Sequence, residues 1–142
     1  MLRKIKNEIF STRQELEKKA NRIVHSPDNE KIIQEKTWTT VNGRYVILVR
    51  SGMKNRLDGN VHDISASGAT VYLEPAELTG LNNTLIMLDR ELAFETQKIL
   101  AQLSGEVAEN SPALDSNLRV LAYFDFITAA AKLSILTASS EP

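Results

Sequence analysis

The sequence has no cysteine, so disulfides and thiolate chemistry are excluded. That fits a reducing compartment, and a cytoplasmic location is expected. No unbroken apolar run approaches the ~18 residues of a membrane span, and Met1-Leu2-Arg3-Lys4 opens an amphipathic stretch unlike a signal peptide. No membrane partner is therefore expected. No Gly-x-x-x-x-Gly-Lys-Ser/Thr occurs, so there is no loop to cradle ATP phosphates. The two histidines, His25 and His62, stand in no ligand-like spacing with each other or with paired carboxylates, and no metal site is expected. No internal repeat or low-complexity tract is seen. No catalytic residue is identified.

What remains is an ordinary composition for about one domain: 142 residues, 42% hydrophobic and 25% charged. The net charge of −1 hides an asymmetry. Residues 1–63 hold 13 Lys and Arg against 8 Asp and Glu, a net of +5; residues 64–142 hold 4 against 10, a net of −6. The basic portion can face a polyanion, or its charges can simply solvate the surface.

The period of the apolar residues changes twice. Leu2, Ile5, Ile9, Leu16, Ala20 and Ile23 step by threes and fours, which predicts a helix over 2–25. Ser26-Pro27-Asp28-Asn29 is turn chemistry, and 30–35 reads as a further short helical turn. From Thr37 the period is two. Thr37–Val41 and Arg44–Arg50 read as strands joined by Asn42-Gly43, a dipeptide that tolerates the two positive φ values of a tight hairpin. A loop from Ser51 to Leu57 follows. Strands near 59–64 and 69–73, joined by Ser65-Ala66-Ser67-Gly68, complete an expected four-stranded antiparallel meander. Glu74-Pro75 restarts the helical period. Leu78, Leu81, Leu85, Leu88, Leu92, Ile99 and Leu103 predict a helix over about 76–108. Asn110-Ser111-Pro112 predicts a break, with Ser111 as N-cap, before a third helix to about residue 138.

The fold class expected is α+β: long antiparallel helices forming a stalk, with a small four-stranded antiparallel sheet inserted at its tip. The division follows as 1–35, a first lever helix; 36–75, a clamp-like sheet; and 76–142, a returning lever helix and core helix. Arg44, Arg50, Lys54 and Arg56 fall on the sheet and its loop. They read as a phosphate-facing set, or as edge charges that block aggregation. Ser65, Ser67 and Gly68 read as an anion-binding nest of backbone amides, or as an ordinary turn with Gly68 at positive φ. His62-Asp63 beside the serines has the residue types of an acid-base relay. Adjacent strand residues face opposite ways, however, and hydrogen-bonded turn residues are the better reading. Asp125 interrupts the apolar seam of the third helix, either as a buried hydrogen-bonded device or where the helix leaves its partner.

At the sheet the sequence becomes recognisable. Thr40-Val41-Asn42-Gly43-Arg44-Tyr45-Val46-Ile47, then the run Gly59 to Pro75 with His62-Asp63, Ser65-Ala66-Ser67-Gly68-Ala69-Thr70 and Glu74-Pro75, then Leu81-Asn82-Asn83, resemble the second bacterial type of MutS protein. That type usually carries a C-terminal Smr nuclease domain. The resemblance covers essentially the whole chain and implies a fragment of a larger protein: lever helices with a clamp at their tip. It implies a non-catalytic arm that grips duplex or branched DNA through its backbone in DNA repair or recombination control. It also implies a homodimer, with ATP and Mg bound in an ATPase domain outside this chain and no cofactor in the arm itself. Proteins of this type have also been linked to stalled ribosomes, so a clamp contacting ribosomal RNA is an alternative, as is a purely structural coiled-coil spacer.

Overall fold

Where apolar residues recur at helical spacing, the chain makes helix α1 (Leu2–Val24), burying Ile5, Ile9, Leu16, Ala20, Ile23 and Val24 along one stripe. The computed structural model describes residues 1–137, and the expected end of the last helix at about residue 138 lies outside them. Strands β1 (Ile33–Val41), β2 (Arg44–Arg50), β3 (Gly59–Ile64) and β4 (Thr70–Pro75) follow, then helix α2 (Ala76–Thr137). A 3₁₀ turn at Pro27–Asn29 separates α1 from β1, and a longer one at Ser51–Arg56 separates β2 from β3. The helical turn expected at 30–35 does not form: the only helical turn there is the Pro27–Asn29 one, with Pro27 at its start, and residues 33–35 already belong to β1, four residues ahead of the expected strand start at Thr37.

The α+β class and the four-stranded antiparallel sheet are as expected. The connectivity is not a meander. The strand order is β1-β2-β4-β3, so β4 lies between β2 and β3. The physical reason lies in burial. The β4 residues Val71, Leu73, Glu74 and Pro75 are buried, whereas β3 is half-buried or exposed throughout. The more apolar strand takes the centre and the polar one the edge. Asn42 and Gly43 have φ of 52° and 76°, the mirror-image turn that matches the twist of β1 and β2.

The chain divides into two compact units, Met1–Thr96 and the residues from Gln97 onward. In the first, one core joins the α1 stripe to Ile33, Tyr45, Ile47, Val49, Val71 and Leu73 of the sheet and to Leu78 and Leu85 of α2. Each fully buried aliphatic side chain contributes about 1.5–3 kcal/mol. Arg22 pairs with Glu77 at 2.5 Å and Arg13 with Asp89 at 3.7 Å. As α1 runs backward from 22 to 13, α2 runs forward from 77 to 89, so the two helices are antiparallel.

In the second unit α2 is unbroken through Asn110, Ser111 and Pro112. The break expected there does not occur. Proline removes one N–H, which would have bonded the Ala108 carbonyl, but Ala108 is exposed and water can take the orphaned acceptor. Every described residue from Gln97 to Thr137 is exposed, including Leu103, Val107, Leu114, Leu118, Leu121 and Phe124. Asp125 is exposed as well, so it is not a buried device within this chain. An 18-residue window of α2 reaches a mean hydropathy of 1.5 with at most two charged residues, long and apolar enough to cross a membrane. A criterion of unbroken runs does not register this window. Single charges such as Asp125 and Lys132 shorten each run while barely lowering the average.

Candidate nucleic-acid interface

Strand β2 carries an arginine at each end, and the sheet sends them to different fates. Its seven residues place Arg44 and Arg50 roughly 20 Å apart, at ~3.3 Å per residue. The Arg50 amide bonds the Ile32 carbonyl at 2.9 Å and its Nε bonds the Ile33 carbonyl at 3.3 Å, which stitches this end of β2 to the start of β1. From Arg50 the chain enters the Ser51–Arg56 turn, where Lys54 and Arg56 are exposed. Neither has an ion-pair partner among the described residues.

The Ser65–Gly68 turn lies at the same end, because Arg50 stands opposite Thr70 and the Ser51 amide bonds the Ala69 carbonyl at 3.0 Å. Gly68 has φ of +71°, the value a glycine supplies without strain. The Gly68 amide bonds the Ser65 carbonyl at 2.8 Å and the Ser65 amide bonds the Thr70 carbonyl at 2.9 Å. The Ser65 Oγ accepts from the Thr70 amide at 3.1 Å and lies 3.3 Å from the Ser67 Oγ. These donors close the turn on itself, so Ser65 and Gly68 have no free amide to offer an anion.

At the far end Arg44 is committed elsewhere. Its Nη1 donates to Glu74 Oε1 at 2.8 Å and its Nη2 to Asn83 Oδ1 at 2.7 Å. Glu74 is only 1% exposed. It accepts two further bonds, from Asn82 Nδ2 at 2.8 Å and from His62 Nε2 at 2.5 Å. His62 reaches it because the β3–β4 register slips between Val61 and Asp63, a bulge that re-aims the residue between them. The histidine is thus joined to Glu74 and not to Asp63, whose Oδ1 accepts from the Ile64 amide. Burial alone would raise the Glu74 pKa. The hydrogen bonds from Asn82, His62 and Arg44, with the Arg44 charge, outweigh it and hold the carboxyl below its ordinary value.

Asn82 has a second task. Extending the β2–β4 register puts Tyr45 opposite Pro75, which has no N–H to give. The Asn82 amide substitutes for the missing strand. Its Nδ2 donates to the Tyr45 carbonyl at 3.1 Å, and its Oδ1 accepts from the Tyr45 amide at 2.9 Å. The Tyr45 hydroxyl titrates above its ordinary value because it is buried and lies beside the Glu17 carboxylate.

Of the four expected phosphate-facing cations, the structure brings together Arg50, Lys54 and Arg56 and removes Arg44 to the Glu74 cluster. That cluster was missed by reading periodicity. Two signals pointed to it: Asn82 falls on the stripe of Leu78 and Leu85, where only apolar side chains are expected, and Glu74 is the one charged residue of β4.

No family model matches the chain. Curated relatives do. It is 36% identical over 141 residues to the endonuclease MutS2 of Alkaliphilus oremlandii (strain OhILAs), covering 99% of this chain and 18% of that protein. The endonuclease MutS2 of Staphylococcus aureus (strain JH9) gives the same identity and coverage. That of Thermotoga neapolitana is 35% identical over 133 residues, 94% of this chain and 17% of that protein. The chain therefore spans about 18% of the length of the curated relatives it matches.

Proposed function

Since the chain belongs to the MutS family, we propose that it is a nucleic-acid-gripping segment, a lever pair bearing a clamp-like sheet. It holds duplex or branched DNA through the phosphate backbone in repair or recombination control. The observation that carries this is a group of cations without carboxylate partners on an exposed turn. On α1, by comparison, four of the seven Lys and Arg, namely Lys4, Arg13, Lys19 and Arg22, are within 4 Å of a carboxylate. At the Ser51–Arg56 end of the sheet, Lys54 and Arg56 stand exposed beside Arg50, with no carboxylate partner among the described residues. Unpaired mobile cations on an exposed turn suit phosphate contact, which needs charge and reach but no sequence-reading geometry. The relatives' name, endonuclease, fits a nucleic-acid substrate for the whole protein. We assign the nuclease and ATPase steps to parts of that longer protein outside this chain.

Three phosphate contacts give a log-log salt slope of about −2.7, at ~0.9 per contact on duplex DNA. Affinity for duplex DNA should lie near the weak end of ~10⁻⁴ to 10⁻⁶ M at physiological salt. Replacing Lys54 and Arg56 together by Ala should lower the slope by about 1.8. The matched change of Lys18 and Lys19 to Ala should leave it nearly unchanged. Equal losses from the two pairs would show diffuse attraction by the helix and defeat the assignment to the turn.

A further inference from the structure

Only part of the stretch that carries the family resemblance, the Ser65–Thr70 turn, lies at the cationic end of the sheet. Arg44, His62, Glu74, Asn82 and Asn83 meet instead in one polar cluster at the opposite end of β2. This cluster sits where β4 passes directly into α2, Pro75 being followed at once by helical Ala76. A single peptide link of that kind is a natural hinge. We propose that the Glu74 cluster locks that hinge, so that the sheet and the first turns of α2 move as one body and the cationic turn takes its orientation from the helix. The inference rests on the reading of that turn as a grip.

The geometry points this way in three respects. Glu74 is held from three elements at once: Arg44 on β2, His62 on β3 and Asn82 on α2. Asn82 replaces a strand partner for Tyr45, so helix and sheet share a hydrogen-bond ladder in place of a mere apolar contact. Gly59 lets β3 close beneath the joint, since an added Cβ would stand 2.2 Å from the Glu74 carbonyl oxygen. Helix α1 also touches the sheet, but largely through aliphatic side chains, whose attraction is non-directional and permits sliding. Directional bonds at 2.5–3.1 Å fix rotation as well as distance. Arg44, Glu74 and Asn82 are in this reading positioning residues, with no contact to nucleic acid.

The absence of cysteine makes the test direct. Spin labels at Asn55→Cys on the turn and Met87→Cys on α2 report one distance across the joint, both positions being exposed. The parent should give a single narrow distribution. Asn82→Ala should at least double its width and speed exchange of the Tyr45 amide by about tenfold, the loss of one hydrogen bond of ~1.4 kcal/mol. Ile9→Ala, which weakens the core away from the joint, should leave the width unchanged. Where Asn82→Ala fails to fold, Arg44→Lys makes the same comparison at a partly exposed position, because it removes the fork that spans Glu74 and Asn83. Folded Asn82→Ala or Arg44→Lys protein with the parent width overturns the proposal. The joint variants keep Lys54 and Arg56, so the DNA salt slope reports on the grip separately: its failure to respond to Lys54→Ala with Arg56→Ala would sink the grip and leave the joint standing.

Discussion

Met1–Thr96 and the stretch from Gln97 to Thr137 are both rich in leucine, yet only the first buries what it carries. Leu16, Leu73 and Leu78 are at most 1% exposed, while Leu114, Leu118 and Leu121 are between 55% and 66% exposed. The same residue type is a structural anchor in one region and an uncovered surface in the other. What differs is the presence of a second layer. In the first unit a sheet face and two helix stripes close on one another; in the second, every described residue is exposed. Apolar content alone therefore says little about stability, which comes from apolar area removed from water.

The largest test of that contrast is a pair of truncations. Leu16→Ala should cost roughly 2–5 kcal/mol in urea unfolding, through lost transfer energy and a cavity. Leu118→Ala should stay within about 0.5 kcal/mol, as exposed substitutions do. Similar losses at both positions would mean that the second region is covered in solution, and the contrast would fall.

A smaller effect is expected at Glu74. Its folded pKa is depressed, so its ionised form stabilises the fold above the ordinary carboxyl value of 4.5. That stability should be lost as pH falls from about this value through the lower folded pKa. Glu74→Gln should cost roughly 1.5–3 kcal/mol at neutral pH, the range for hydrogen bonds to a charged group. It should also flatten the acid limb of a stability-against-pH curve measured by denaturant midpoint. An acid limb as steep as the parent's would place the titrating group elsewhere.

The smallest effect belongs to the second region and has the opposite sign. Gly105 lies inside α2, and a Cβ added there meets no atom within 4 Å. Gly105→Ala should therefore stabilise the local helix by about 1 kcal/mol, purely through backbone propensity. Slower amide exchange around residue 105, with no change in Met1–Thr96, would sharpen the view that local preference governs one region and packing the other. Unchanged or faster exchange would count against it.

The sequence by itself determined most elements of the first unit, the start of β1 at Ile33 being the exception. A 3.6-residue stripe placed α1, Asn42-Gly43 placed the hairpin with both φ values positive, and the switch at Glu74-Pro75 placed the start of α2. These are local choices, made by backbone sterics and by which face is apolar. The strand order and the fate of Arg44 were decided only in three dimensions. Strand order depends on which strand the core will bury, and Arg44 is claimed by a carboxylate 30 residues away in sequence. The passage through Pro112 is again local: proline costs a helix one hydrogen bond and a clash with the preceding turn, and at an exposed position water can bond the freed carbonyl. Periodicity is a property of neighbours in the chain. Competition for a buried carboxylate is a property of neighbours in space, and no spacing rule encodes it.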